Sequence, residues 1–310
     1  MRRMLLGGAA LALLALFLGR ERAAPVPEAL SWPEAVSFLA QHECADPVRL
    51  PVEPGCAEPR PATEGRLAYR RIDWSGVQAS DAVLATRAGG PVVVQSFDFG
   101  DGERRFGRFD EGKGDGADAV RLDRGGVGIY ATEDGASGLL HWAGAPCPAT
   151  AGWLLWDRTP TRDWRARTVR LNGVPARDAC PTQWNLAFTR WRMVELALPW
   201  RDDDGRSGTH AAEAIVSEHF GGESVERSGH MERFVHARWL GKVRWERWEH
   251  RERTSLANLP EAARVLAGSG RCPDGGAMLG SPGRDWVLAD CRLWTHYRRG
   301  PSHSMPWPRE

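Results

Sequence analysis

Lysine is nearly absent from this chain, because only Lys113 and Lys242 stand among its 41 Lys and Arg residues. The formal net charge is +1 at pH 7, and the basic residues form no dense block. Nucleic-acid binding domains need a strongly basic face, so we expect no nucleic-acid partner. Arginine, alanine, glycine and proline are abundant, which we interpret as coding bias of a GC-rich genome.

Several motifs that carry well-known chemistry are missing from the 310 residues. We find no P-loop, no G-x-G-x-x-G leading into a helix, no G-x-S-x-G nucleophile elbow and no H-E-x-x-H zinc motif. Five of the nine histidines lie between His210 and His250. They lack metal-ligand spacing and are better explained as hydrogen-bonded or exposed side chains. The sequence therefore predicts no cofactor and no metal.

Long apolar runs are also rare, and the only one lies at the N-terminus. Arg2 and Arg3 precede an apolar stretch from Leu5 to Gly19, about 15 residues against the roughly 20 that span a bilayer. This pattern predicts a secretory signal over residues 1–24. Arg22 occupies a position where a signal peptidase prefers a small residue, so an uncleaved N-terminal anchor is the alternative. We expect an exported protein, periplasmic or extracellular, with no membrane span beyond that segment.

The six cysteines contain no C-x-x-C pair, which argues against redox catalysis. An even number of cysteines behind an export signal predicts disulfides formed in an oxidising compartment. Sequence alone allows about fifteen pairings. Each neighbouring pair lies in its own Pro-rich or Gly-rich block, and we therefore predict the nearest-neighbour set of structural disulfides. That set is Cys44–Cys56, Cys147–Cys180 and Cys272–Cys291.

From Arg66 onward, short runs of alternating apolar and polar residues are separated by Gly, Asp and Pro. This period of two predicts a mainly β protein, an antiparallel β-sandwich or barrel-like arrangement of sheets. Ser31 and Glu34 form a capping-box pattern that predicts a short N-terminal helix. A second short helix is expected near the C-terminus, around residues 260–267.

The expected organisation has four parts. Residues 1–24 are the signal or anchor, 25–64 a helical and Pro-rich cap with its own disulfide, 65–298 the β domain, and 299–310 a mobile tail. A division of the β domain into two lobes near 202–208 is the alternative. The Gly-rich and Asp-rich insertion 99–119 is expected to form a mobile hairpin tip or an Ω-type loop.

Residues 230–252, HMERFVHARWLGKVRWERWEHRE, predict a hairpin that turns at residues 239–242. Alternation places a tryptophan among charged neighbours on each face of its second strand. One interpretation is a packed strand with paired charges. The other is an open platform on which tryptophans stack against sugars, and its candidate ligand-binding residues are Trp245, Trp248, Arg247, Arg244 and His236.

The 15 tryptophans of the chain, against 3 tyrosines, favour this second interpretation. We therefore expect a non-catalytic module that binds a glycan or another component of the cell envelope. One alternative is a carbohydrate-active enzyme, similar in chemistry to a glycoside hydrolase, with Glu232 and Glu249 as its paired carboxylates. Another is a structural or protein-binding periplasmic factor, which would bury those tryptophans. The sequence does not decide whether the protein is an enzyme.

Overall fold

The computed structural model describes most of the chain from residue 186 to residue 293 and shorter segments before it. The described residues are 31–39, 42–44, 55–56, 59–61, 72–74, 77–79, 92–98, 115–123, 126–134, 139–142, 153–157, 159–170, 174–175, 186–202, 205–269, 272, 279–293 and 296–297. The predicted signal segment 1–24 and tail 299–310 lie outside them, as do Cys147 and Cys180.

The larger sheet has seven strands and contains the predicted hairpin. Its strands are β10 (Arg165–Arg170), β12 (Leu186–Asp202), β13 (Ser207–Phe220), β14 (His230–Ala237), β15 (Gly241–His250), β16 (Trp286–Leu293) and β17 (His296–Tyr297). The order is β10, β12, β13, β14, β15, β16, with every neighbouring pair antiparallel. The short β17 pairs in parallel with the end of β12. Residues 202–208 contain the tip of the β12–β13 hairpin.

The second sheet has six strands and is also antiparallel. Its strands are β5 (Val92–Asp98), β6 (Asp115–Asp123), β7 (Gly126–Asp134), β8 (Leu139–Trp142), β9 (Trp153–Asp157) and β11 (Val174–Pro175). Two short pairs complete the described strands: β1 (His42–Glu43) with β2 (Arg60–Pro61), and β3 (Ile72–Trp74) with β4 (Val77–Ala79).

The core lies where the two sheets meet, since one cluster of buried side chains joins them. Val120, Val127 and Leu155 come from the second sheet, and Ile215 and Phe234 from the large one. The predicted mainly β, antiparallel fold is confirmed, and the arrangement resembles a sandwich. The described strands do not close into a barrel.

The predicted N-terminal helix is α1 (Trp32–Leu39). The backbone N–H of Glu34 donates to the Ser31 hydroxyl over 3.4 Å, as the cap predicts. This helix packs on the hairpin turn, where the Trp239 N–H donates to the Ser37 carbonyl over 2.7 Å. Gly241, with φ at 72°, supplies the positive φ that the turn requires.

The second predicted helix is α2 (Leu259–Gly268), which buries Leu259, Ala262 and Leu266. Leu266 packs against the disulfide between Cys272 and Cys291.

Two disulfides of the nearest-neighbour set are present, Cys44–Cys56 and Cys272–Cys291, and both predictions are confirmed. The loop prediction for 99–119 was wrong at its end, because β6 begins at Asp115. Strand β16 was not predicted, since the Gly-rich and Pro-rich segment before Trp286 hid the short alternating run that follows it. No helix in the described part of the chain is both long and apolar enough to cross a membrane.

Candidate functional site

A row of charged side chains crosses four strands on one face of the large sheet. Arg190, Glu218, Arg233 and Glu246 lie directly opposite one another on β12, β13, β14 and β15. Residues that face each other on neighbouring strands point to the same side of a sheet. The row therefore alternates in charge along a single line, and we call these four residues the charged row.

Each carboxylate of the charged row is saturated with donors. Glu218 accepts from Arg190 through one oxygen, over 2.5 Å, and from Arg233 through the other, over 2.5 and 2.8 Å. Glu246 accepts from Arg233 over 2.6 Å and from Arg244 over 2.6 Å. Glu218, Arg233, Arg244 and Glu246 are buried. Such pairs hold because every buried charge meets an opposite charge.

Trp248 packs against the charged row and donates a hydrogen bond to it. Its indole N–H donates to Glu246 over 2.7 Å, and the Arg233 guanidinium lies 5.5 Å from its ring centroid. The ring packs with Phe220 and Met231 and is 5% exposed. Trp245 lies on the opposite face, where it joins the core between the sheets, and is 8% exposed. Neither indole offers a platform to solvent.

The side chains of the other candidates for ligand binding also contact neighbouring side chains of the protein itself. His236 is fully buried against the Trp156 ring, with the two ring centroids 5.2 Å apart. Arg247 is half-buried and donates to Glu249 over 2.7 Å. Arg244 is fully buried beside Glu246. Side chains along β15 alternate between the two faces as expected. Arg244 and Trp248 donate to Glu246 on one face, and Arg247 donates to Glu249 on the other.

The two carboxylates proposed for catalysis lie two positions apart across the hairpin. Glu232 pairs with Arg247 and is half-buried, whereas Glu249 pairs with His230 and is buried. Glu249 accepts from His230 over 2.9 Å, from Arg247, and from the Thr254 hydroxyl over 2.6 Å. The structure thus gives Glu249 three partners inside the protein.

The pKa of Glu249 follows from this setting. Burial alone raises it, and the hydrogen bond and charge of His230, the hydrogen bond from Thr254 and the charge of Arg247 outweigh burial and hold the pKa below its ordinary value. A glycosidase general acid needs the opposite shift, so that it carries a proton near neutral pH. Glu249 is ionised and immobilised here, a setting that fits a structural anchor.

A second buried polar group lies between the sheets. The Ser217 hydroxyl donates to the Leu155 carbonyl and lies 2.7 Å from Nε2 of His219, whose Nδ1 is 3.4 Å from the Thr189 hydroxyl. Because the Ser217 proton is used on Leu155, Nε2 carries the imidazole proton and Nδ1 accepts from Thr189. Burial, and then the charge of Lys242, lowers the pKa of His219 to about 3. This histidine is a neutral packing residue.

Sequence reasoning missed the exposed end of the charged row. Trp164 immediately precedes β10 and is 38% exposed, and no other large apolar side chain among the residues with described burial is as open. The guanidinium carbons of Arg190 and Arg192 each lie 4.6 Å from the centroid of its ring. We call Trp164, Arg190 and Arg192 the Trp164 surface.

The loop before Trp164 is fixed to the neighbouring strand. The Met193 N–H donates to the Thr161 carbonyl over 2.7 Å, and Arg165 donates to the Thr161 hydroxyl over 3.4 Å. The Thr161 hydroxyl in turn donates to the Asp163 carbonyl over 3.3 Å. The indole is therefore presented by a backbone that is held to the neighbouring strand by hydrogen bonds.

No three His, Cys, Asp or Glu side chains converge as a metal site would require, as far as the chain is described. Compared with protein-family models, with curated proteins and with solved structures, the chain matches none of them.

Proposed function

We propose that this chain is an exported, disulfide-stapled β protein of the cell envelope that binds a glycan without transforming it. Its recognition site is the Trp164 surface. The observation that carries the proposal is the exposure of Trp164 beside two guanidiniums, in a chain whose hairpin tryptophans are buried. Indole rings stack on the C–H faces of sugars, and arginine donates to sugar oxygens.

The charged row explains how an exposed indole is kept in place. Arg190 is held by Glu218, which is held by Arg233, so the guanidinium under the ring is anchored to three further strands. Tryptophan and arginine with fixed geometry are the residue types that dominate binding energies at interfaces. The hairpin of residues 230–252 therefore supports the recognition site as part of the scaffold.

A non-catalytic role is supported by the state of the hairpin carboxylates. Glu249 is bound by three groups and has a lowered pKa, and Glu218 and Glu246 are locked in ion pairs. The two disulfides fit an oxidising compartment, which supports export.

A protein-binding envelope factor is the second candidate. The burial of Trp245 and Trp248 favours it, as does strand β10, which pairs with β12 on one side and with no other described strand. Unpaired strand edges are docking sites for an extended segment of a partner. The side chains of Ala166, Arg167 and Thr168 on this edge are exposed.

Affinity electrophoresis in gels that contain envelope polysaccharides tests the leading proposal. We expect wild-type protein to be retarded by at least one polysaccharide, Trp164→Ala to lose the retardation, and Thr168→Ala, a neighbouring surface control, to keep it. Each mixture is also assayed for new reducing ends, and we expect none. Retardation that survives Trp164→Ala, or production of reducing ends, would overturn the proposal.

A further inference from the structure

Arg190 and Arg192 lie at the same distance from Trp164 but differ in charge environment. Both guanidinium carbons are 4.6 Å from the ring centroid. Arg190 donates to the buried carboxylate of Glu218 over 2.5 Å, so its charge is neutralised within the protein. Arg192 forms no ion pair with any carboxylate of the described chain, and its buried Nε has no hydrogen-bond partner there.

The position of Arg192 follows from the strand register. It is two residues beyond Arg190 on β12, so both side chains project from the same face. Its partner on β13 is Val216, which is apolar, whereas the partner of Arg190 is Glu218. Arg192 is half-buried, and no carboxylate of the described chain forms an ion pair with its guanidinium, which lies against an exposed aromatic ring.

Charges of both signs surround the indole. Arg190 is balanced by Glu218 and by the charge of the nearby Glu226, whereas Arg192 forms no ion pair with a carboxylate among the residues that the structure describes. The adjacent Asp163 is exposed and offsets one charge. Arg162, also exposed, forms no ion pair with a described residue and offsets Asp163 in turn. An uncompensated guanidinium donates strongly to carboxylate and phosphate oxygens.

We propose that the ligand of the Trp164 surface is an acidic polysaccharide, with a sugar ring against Trp164 and its carboxylate or phosphate group on Arg192. This inference depends on the proposed glycan-binding function and names the chemical class of the glycan. A neutral glycan would leave the Arg192 charge unpaired beneath it, at a desolvation cost. An acidic one replaces lost water with charge-assisted hydrogen bonds.

Matched acidic and neutral polymers test the inference directly. Polygalacturonate is compared with its methyl-esterified form, and phosphomannan with dephosphorylated mannan, by calorimetric titration at low salt. Polyglutamate serves as an anion without sugar. One charge-assisted hydrogen bond corresponds to about a tenfold change in affinity. We expect wild type to bind at least one acidic polymer about tenfold more tightly than its neutral form, and raised salt to weaken that preference.

Three variants separate charge from stacking. Arg192→Gln is expected to abolish the acidic preference, so that the acidic and neutral forms bind with equal affinity, and Trp164→Ala is expected to lose binding of both. Arg167→Gln is the charge-matched control, because Arg167 pairs with Thr189 and so lies on the opposite face from Arg190 and Arg192. It should keep the preference.

The outcomes distinguish this inference from the proposed function. Equal binding of acidic and neutral forms, unchanged in Arg192→Gln but lost in Trp164→Ala, overturns the acidic ligand and leaves glycan binding intact. Equally tight binding of polyglutamate, insensitive to Trp164→Ala, overturns both. Binding of none of the polysaccharides also overturns both.

Discussion

Arg233 and Glu246 lie directly opposite each other on neighbouring strands, and their side chains form a fully buried ion pair of 2.6 Å. This pair explains why residues 230–252 mix tryptophan with alternating charges. A shift of one residue between β14 and β15 would turn Arg233 toward the opposite face and leave both charges buried without partners. The ion pair thus specifies the register of the strands that support Trp164.

Removing one carboxylate from the charged row should destabilise the fold strongly. In Glu246→Gln, the buried guanidiniums of Arg233 and Arg244 each lose an ion pair while side-chain size is unchanged. We expect the free energy of unfolding to fall by about 3–5 kcal/mol, measured by urea denaturation. Glu261→Gln removes an exposed carboxylate paired with Arg264 on α2 and should leave unfolding unchanged. Equal effects of the two variants would show that the buried pairs do not hold the sheet together.

Glycine is required at position 229, because a larger side chain would clash there. Gly268, where there is room for a side chain, provides the matched control. A Cβ on Gly229 would lie 2.2 Å from the backbone carbonyl oxygen of Arg253, and the His250 N–H donates to the Gly229 carbonyl. We expect Gly229→Ala to cost about 1–3 kcal/mol of stability. Gly268→Ala, at the end of α2 with no atom near the added carbon, should stabilise by up to about 1 kcal/mol. Thermal unfolding measures the stability of both variants. An unchanged stability of Gly229→Ala would contradict the close approach of the Arg253 carbonyl oxygen to Gly229.

Two buried histidines should make stability depend on pH. Burial, and then Lys242, lowers the pKa of His219 to about 3 and that of His236 well below 6.5, so neither takes up a proton in the folded state. The unfolded chain protonates both as the pH falls through 6.5. The free energy of unfolding should therefore decrease toward acid by about 1.4 kcal/mol per pH unit for each histidine.

The variant His236→Phe isolates one of these contributions. It keeps a ring against Trp156 and removes one titrating group. Between pH 6.5 and pH 5, the slope of unfolding free energy against pH should decrease by about 1.4 kcal/mol per pH unit. A slope equal to that of wild type would mean that His236 binds protons alike in the folded and unfolded states.

The disulfide between Cys272 and Cys291 should stabilise more than its sequence separation suggests. Cys291 is fully buried, lies opposite Glu246 and packs beneath α2 beside Leu266. Closing a 19-residue loop accounts for about 3 kcal/mol. Replacing both cysteines by serine should cost more than that amount, because it also removes the packing of Cys291 against Leu266.

Replacing Cys44 and Cys56 by serine is the natural comparison, because that bond closes a loop of 12 residues near α1. Hydrogen exchange should show loss of protection along β15 and β16 in the first double variant and not in the second. Equal protection of β15 and β16 in both variants would contradict the packing role of Cys291.

Much of the fold was predictable because its signals are local. Alternation, the Ser31 cap and the turn at Gly241 depend on residues within one strand, one helix end or one hairpin. The two described disulfides join cysteines that are neighbours in sequence.

The proposed recognition site was not predictable because it depends on a pairing between distant strands. Trp164 meets Arg190 and Arg192 only after β10 pairs with β12, and the chain between them gives no indication of their register. The sequence also could not tell the exposed tryptophan from the buried ones, since Trp245 and Trp248 have equally charged neighbours. Burial was decided by residues outside the hairpin: Trp245 joins the core shared with the second sheet, and Trp248 packs with Phe220 and Trp286.

Nuclear magnetic resonance can show whether the ligand meets Trp164 or the hairpin tryptophans. Each of the 15 indole N–H groups gives its own resonance, and single Trp→Phe variants assign those of Trp164, Trp245 and Trp248. On titration with a polysaccharide that binds, we predict that the Trp164 resonance shifts with ligand concentration and the other two stay in place. A shift of Trp245 or Trp248 with Trp164 unmoved would contradict the account and return recognition to the hairpin.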